Sequence, residues 1–128
     1  MLKKITSLIA LASLISLAAL YLAPQEVRGA GKGDAKASLE VYKANCLRCH
    51  GDKGKGDGPA AKLLKTKPAD WTDKARMSKL TEKDLVTVIT KGGGAVGKSP
   101  VMPAFGEKLK GQDVQNLIAL MAQMGSAP

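Results

Sequence analysis

The residues best suited to chemistry lie together near the middle of the chain. Both cysteines, Cys46 and Cys49, and the single histidine, His50, fall within the five residues CLRCH. Two thiols three positions apart, followed at once by an imidazole, have the spacing of c-type haem attachment. Two thioethers would tether one edge of the porphyrin, and a helical turn between them would bring the imidazole under the iron. We therefore predict one covalent haem c on Cys46 and Cys49, with His50 as an iron ligand.

Three other kinds of site use cysteines at this spacing. A disulfide between Cys46 and Cys49 would close a very small loop, which constrains the unfolded chain little, and would give His50 no role. A structural zinc ion would need four ligands, and the sequence has no further Cys or His to supply them. A thioredoxin-type dithiol follows a strand of a βαβ unit, whereas a helical pattern precedes the first cysteine here. Only haem attachment uses all three residues.

The second iron ligand must come from elsewhere, and methionine, lysine and water are the candidates. Met102 stands between prolines in SPVMPAFG, at the end of a loop long enough to cross the ring. Met77 is the rival, although nothing in KARMSKL stiffens its backbone. We predict His50 and Met102 as the axial pair, while an open sixth position is the alternative. A His/Met iron accepts and returns one electron, and the thioether raises its potential.

Helices joined by long loops must position these groups. Helical patterns cover 34–45, 81–92 and 112–124, and a short helix is predicted at 59–64. The intervening segments are irregular or rich in glycine and proline, and loops of this length in a small domain are usually functional. No strand alternation of useful length and no internal repeat occurs. We predict an all-α domain of three to four helices whose loops wrap the haem. Its predicted pocket residues are Leu80, Leu85, Val88, Ile89, Phe105 and Leu117.

The first 29 residues differ in composition from the rest. MLKK is a short positive start, and residues 5–23 form an uncharged apolar run, which is the pattern of an export signal. A small-residue cleavage site lies at VRG, but the run is also long enough to stay as a membrane anchor. We predict a signal peptide or anchor at 1–29, a linker at 30–35 and a haem domain at 36–126. The domain would then lie in the periplasm or on the outer face of the cytoplasmic membrane, soluble if the signal is cleaved and anchored if it is not.

The charge of the chain bears on its partners. The formal net charge is +9, but the lysines are spread along the sequence and do not alternate with aromatic residues that could stack on bases. This pattern argues against nucleic acid and favours protein partners with acidic faces, one a redox donor and one an acceptor. No residues indicate a catalytic acid, base or nucleophile, so we do not expect an enzyme.

Beyond the cysteine motif, the chain resembles the small monohaem class I cytochromes c of bacteria over residues 36–124. The resemblance rests on the segments VYKANCLRCHG, GKGDGP, KPADW, VMPAF and DVQNLIALM. It implies that the first and last helices cross beside the haem, with Tyr42 as the aromatic residue of the first helix. Ser38 stands where the family usually has a glycine, and Leu120 where it usually has an aromatic residue.

The resemblance also implies roles for residues in the loops. The carbonyl of Pro59 would accept a hydrogen bond from the His50 ring, and Trp71 would lie against the haem edge and donate to a propionate or simply pack. The segment around Met102 would be the methionine loop. The implied activity is shuttling of single electrons between a membrane complex or dehydrogenase and a terminal reductase or oxidase. Two rivals remain open: a haem enzyme or sensor with a vacant sixth position, and a haem subunit built into one larger complex.

Overall fold

The computed structural model describes residues 33–126. The predicted signal peptide or anchor, and all of the predicted linker before Gly33, lie outside these residues. Within the described residues the structure is helical and has no strand, which confirms the predicted all-α class. Its α-helices are α1 (Leu39–Asn45), α2 (Leu47–His50), α3 (Lys74–Met77), α4 (Glu82–Lys91) and α5 (Gly111–Ser126), and its 3-10 turns are Lys36–Ser38, Ala61–Leu63 and Gly93–Val96. None of the helices in this part of the chain is both long and apolar enough to span a membrane.

Two short elements differ from the sequence prediction. The helix predicted at 59–64 is only the 3-10 turn Ala61–Leu63. Conversely, α3 lies in a segment predicted to be irregular. It forms because the side chain of Asp73 accepts a hydrogen bond from the Arg76 backbone N–H at 3.0 Å and so caps the first turn.

Helix α4 has the boundaries that its sequence predicts. Thr81 and Asp84 form a reciprocal capping box: the Thr81 backbone N–H donates to the Asp84 carboxylate at 2.8 Å, and the Thr81 hydroxyl accepts from the Asp84 backbone N–H at 3.2 Å. The helix ends at Gly92, whose φ of 80° is open to glycine and strained for other residues. Both ends are therefore fixed by local interactions.

The first and last helices pack together, as the predicted fold requires. Tyr42 of α1 and Leu120 of α5 are both buried in the core. Ser38 is fully buried, and its hydroxyl folds back to donate to the Ala35 carbonyl at 2.7 Å, so a serine fits at the position where the family usually has a glycine. Gly33 also lies close to α5, because a Cβ at this position would overlap the backbone of Gln115.

Candidate functional site

A cavity of about 280 Å³ opens beside α2 and gathers most of the predicted site residues. Apolar side chains line most of it, including all six of the predicted pocket residues. Of the predicted haem and iron contacts, those that line it are Cys46, Cys49, His50, Trp71, Met102 and Phe105. Pro59 is the one predicted site residue that does not.

The cysteine and histidine cluster is positioned by the single turn of α2. The Cys46 carbonyl accepts from the backbone N–H groups of Cys49 at 3.1 Å and His50 at 2.9 Å, which turns all three side chains toward the cavity. The turn ends at Gly51, with φ 78°. Both thiols are free and half-buried. Burial, together with the neighbouring Cys49, raises the pKa of Cys46 to about 11.

His50 has the properties of a metal ligand. Its side chain is buried, and its Nδ1 has no hydrogen-bond partner among the described residues. Burial lowers the pKa of His50, because desolvation disfavours the charged form, and a hydrogen bond with the Ala69 backbone acts in the opposite direction. A neutral imidazole has a nitrogen lone pair available for a metal. Within residues 33–126 no group of three or more His, Cys, Asp or Glu side chains could hold a metal ion, which argues against the zinc alternative.

Pro59 lies on the loop that follows α2. Its side chain is exposed, and the unpartnered Nδ1 of His50 does not donate to its carbonyl in this structure. The loop is nevertheless held against α2 on both sides of Pro59: Gly58 N–H donates to the Cys49 carbonyl at 3.2 Å, and Ala60 N–H donates to the Arg48 carbonyl at 2.9 Å. The hydrogen bond from His50 to Pro59 stays a prediction.

The methionine loop is tied to the end of α4. Gly93 N–H donates to the Met102 carbonyl at 3.0 Å, and Phe105 N–H donates to the Ile89 carbonyl at 2.9 Å. A Cβ at Gly93 would overlap the Ser99 carbonyl and lie 3.3 Å from the Cβ of Met102. The glycine at this position therefore allows the loop to fold closely over the helix end and to present Met102 to the cavity.

Met77, the rival ligand, also lines the cavity, and both methionines are half-buried. The structure thus brings together one histidine and two candidate thioethers. Sequence reasoning missed the polar residues of the cavity wall, which lie in loops and at helix ends where no periodic signal marks them. They are Asn45, Thr66, Lys67, Arg76, Lys98 and Ser99.

Comparison with known proteins identifies the family. The family model described as "Cytochrome C oxidase, cbb3-type, subunit III" matches residues 33–121. Cytochrome c6 of Picosynechococcus sp. is 36% identical over 93 residues, which cover 70% of this chain and 72% of that protein. The cbb3-type cytochrome c oxidase subunit FixP of Azorhizobium caulinodans is 31% identical over 125 residues, which cover 93% of this chain but only 39% of FixP. The solved structure of the KustC0563 c-type cytochrome has the same fold, with a TM-score of 0.52 and 22% identity over 69% of this chain and 93% of that one.

The chain therefore belongs to the class I c-type cytochromes. This confirms the predicted cofactor, a covalently bound haem c, and the general role of an electron carrier. The structure fits such a group: the cavity is mostly apolar, two free thiols face it from one helical turn, and Nδ1 of the buried imidazole beside them has no hydrogen-bond partner among the described residues. When bound, the haem supplies an iron that changes oxidation state by one electron.

Proposed function

We propose that the chain is a one-electron carrier in which Cys46 and Cys49 hold the haem, and His50 and Met102 are the axial ligands. The observation that supports this most directly is that these four side chains line one cavity although 53 positions separate Met102 from Cys49. Axial ligation from both sides leaves no position for a substrate, so we propose a carrier rather than an enzyme.

The residues of the cavity would act mainly by exclusion and restraint. Apolar side chains such as Leu85, Val88 and Phe105 keep water away from the iron, which favours its less charged, reduced state. The tight backbone bonds of α2 and of the methionine loop hold both ligands in place, so that little has to rearrange when the charge changes.

We prefer Met102 over Met77 because its loop is anchored on both sides. Gly93 bonds to Met102 itself, and Phe105 bonds to the end of α4 three residues later. Met77 is the last residue of the four-residue helix α3. Its backbone bonds, to the Asp73 carbonyl at 2.9 Å and from the Leu80 N–H at 3.1 Å, stay within that local turn and do not tie it to another helix. Trp71 and Phe105 would contact the haem, and the Pro59 carbonyl would accept a hydrogen bond from the His50 ring.

The partners would be proteins with acidic surfaces. Lys67, Arg76 and Lys98 line the cavity, and all three are exposed. In the described part of the chain the one salt bridge joins Lys43 to Glu40, so none of these three cations is in a salt bridge. Basic groups around the site would steer an acidic donor or acceptor toward the haem in short-lived encounters.

We also propose that residues 1–29 export the chain, that 30–35 are a linker and that 36–126 are the haem domain. The haem domain would then work in the periplasm or on the outer face of the cytoplasmic membrane. Intact-mass measurement of the exported protein would report covalent haem and removal of the leader together.

A second candidate is a haem subunit fixed within an oxidase. The match to a cbb3-type subunit family and the similarity to FixP along 93% of this chain favour it. A retained N-terminus together with stable copurification of one large partner would support this candidate. A processed, monomeric protein that reacts with separate partners would support the shuttle.

Substitution of the proposed ligands tests the axial pair. We expect His50→Ala to lose the low-spin ferric spectrum, and Met102→Ala to lower the midpoint potential and to bind cyanide or carbon monoxide at once. Met77→Ala is the matched control and should keep the parent potential. The ligand proposal is refuted if Met102→Ala is unchanged and Met77→Ala takes on these properties.

A further inference from the structure

The indole of Trp71 lies directly on the imidazole of His50. The two ring centroids are 4.4 Å apart and the ring planes differ by 25°, which is a stacked arrangement. Trp71 is only 6% exposed, so this face of the imidazole is covered by carbon atoms and not by water. This contact is separate from the predicted role of Trp71 at the haem edge.

Trp71 is itself held on several sides. Its backbone N–H donates to the Gly54 carbonyl at 2.8 Å. A Cβ at Gly54 would lie 2.8 Å from the indole and 2.9 Å from the sulfur of Met124, which shows how closely this loop and α5 enclose the ring. Tyr42 packs against it with centroids 5.8 Å apart and planes at 59°. The indole is therefore contacted by the Gly54 loop, by α5 and by Tyr42.

Tyr42, which packs on Trp71, also contacts the turn that contains His50. The hydroxyl of Tyr42 donates to the carbonyl of Gly51, the residue after His50, so the same tyrosine fixes the backbone of the ligand and packs on the indole. Tyr42 is 2% exposed. In contrast, His50 Nδ1 has no hydrogen-bond partner within residues 33–126. The stack with Trp71 is thus one restraint on ring orientation, beside the hydrogen bond between the ring and the Ala69 backbone.

We propose that Trp71 is a positioning residue that fixes the plane of the His50 imidazole, and that Tyr42 supports it from behind. This inference rests on the proposed role of His50 as iron ligand. The orientation of an imidazole relative to the porphyrin determines which iron orbitals it overlaps, so a fixed plane gives one well-defined ligand field. Covering the ring face also keeps water from the ligand, which favours the reduced state.

The test uses the mature haem protein and three variants. Trp71→Leu removes the planar surface, Trp71→Phe keeps an aromatic one, and Leu120→Ala weakens the core at a buried position that does not line the cavity. For Trp71→Leu we expect a shifted and broadened largest g value in the ferric electron paramagnetic resonance spectrum and a lower midpoint potential. Trp71→Phe should resemble the parent in both. Leu120→Ala should lose thermal stability without a change in g values.

Parent g values and parent potential in a folded Trp71→Leu variant would overturn the proposal, because the tryptophan would then serve packing alone. If the Trp71→Leu variant does not fold with its haem, the proposal can still be tested on the parent protein. Its reduced, diamagnetic form should give nuclear Overhauser effects between the His50 ring protons and the Trp71 indole protons, and their absence would also overturn the proposal. The His50→Ala variant tests the underlying ligand proposal separately. If its spectrum stays low-spin, His50 is not an iron ligand, whatever the Trp71 variants show.

Discussion

The backbone N–H of Gly93 donates to the carbonyl of Met102 at 3.0 Å, across nine positions of sequence. This bond joins the first residue after the Gly92 helix stop to the proposed iron ligand. The Lys98 N–H returns to the Gly93 carbonyl at 2.9 Å, so the intervening loop is closed on itself. The position of Met102 therefore depends on the backbone conformation at the end of α4.

Gly93→Ala should displace Met102 from the iron. The new Cβ would overlap the Ser99 carbonyl and press on the Cβ of Met102, and backbone atoms in a closed loop have little room to move. We expect loss of the weak far-red absorption of a His/Met ferric haem, a lower potential and rapid binding of cyanide.

Gly94→Ala is the matched control for this substitution. Gly94 is exposed, and a Cβ there would meet only Pro100 at an ordinary contact distance of 3.7 Å. Its spectrum and potential should equal those of the parent. If Gly93→Ala also keeps the parent spectrum, the loop closure does not control the ligand.

Gly33 is predicted to be required for the contact between the start of the domain and α5. A Cβ at Gly33 would collide with the backbone of Gln115, and relief of that overlap would also disturb the adjacent bond from Asp34 N–H to Asn116 Oδ1, now 2.8 Å. We expect Gly33→Ala to lower the free energy of unfolding by about 1 to 3 kcal/mol. Denaturant titration of the haem protein measures this.

The control for Gly33 is another glycine at the edge of α5. Gly111 is exposed and a Cβ there would meet nothing within 4 Å. Gly111→Ala should be neutral or stabilise by up to roughly 1 kcal/mol, because alanine loses less backbone entropy in a helix. Equal stability of the two variants would contradict the proposed close approach at Gly33.

The features that sequence analysis predicted well are encoded by neighbouring residues. The ends of α4 follow from the capping pair Thr81 and Asp84 and from the stop at Gly92, all of which act within one or two turns. The cysteine and histidine motif is also local, because α2 is a single turn. Its spacing alone therefore predicts haem attachment. Such local signals do not require knowledge of the fold.

The features that it missed depend on contacts between distant segments. The Trp71–His50 stack joins residues 21 positions apart through an irregular loop whose path the sequence pattern does not define. Helix α3 has four residues, which is too few for a periodic pattern of apolar residues. Its capping residue, Asp73, cannot be told from other loop aspartates by sequence alone. The close approach at Gly33 depends on how α5 packs, which the residues around Gly33 do not show.

Charge around the cavity should govern reactions with small ionic oxidants. Lys98 lines the cavity, whereas Lys53 is an exposed lysine on the loop after α2 that does not. Lys98→Glu should slow oxidation by ferricyanide about 2- to 10-fold at low ionic strength, and the difference should shrink as salt is added. Stopped-flow oxidation of the reduced protein measures both.

Lys53→Glu is the control because it makes the same change in net charge. It should slow ferricyanide by a smaller factor than Lys98→Glu. Equal effects of the two substitutions would mean that net charge, and not charge at the cavity, sets the rate.

Asp84 is expected to make the stability of the domain depend on pH in the acidic range. Hydrogen bonds from the Thr81 side chain and backbone lower the pKa of Asp84 below its ordinary value of 3.8. Because the folded pKa is the lower one, the carboxylate stabilises the folded state fully above 3.8, and this contribution disappears as the pH falls through the folded pKa.

Asp84→Asn should therefore be less stable than the parent near neutral pH, and the difference should narrow progressively as the pH falls below 3.8. Thr81→Ala removes the other half of the capping box and should cost about 1 kcal/mol near neutral pH. Glu82→Gln is the control, because it removes a carboxylate from the same helical turn without breaking either capping bond. Denaturant unfolding of all four proteins at several pH values gives the differences directly. A gap between the parent and Asp84→Asn that stays constant at every pH would show that the ionised carboxylate of Asp84 does not stabilise α4.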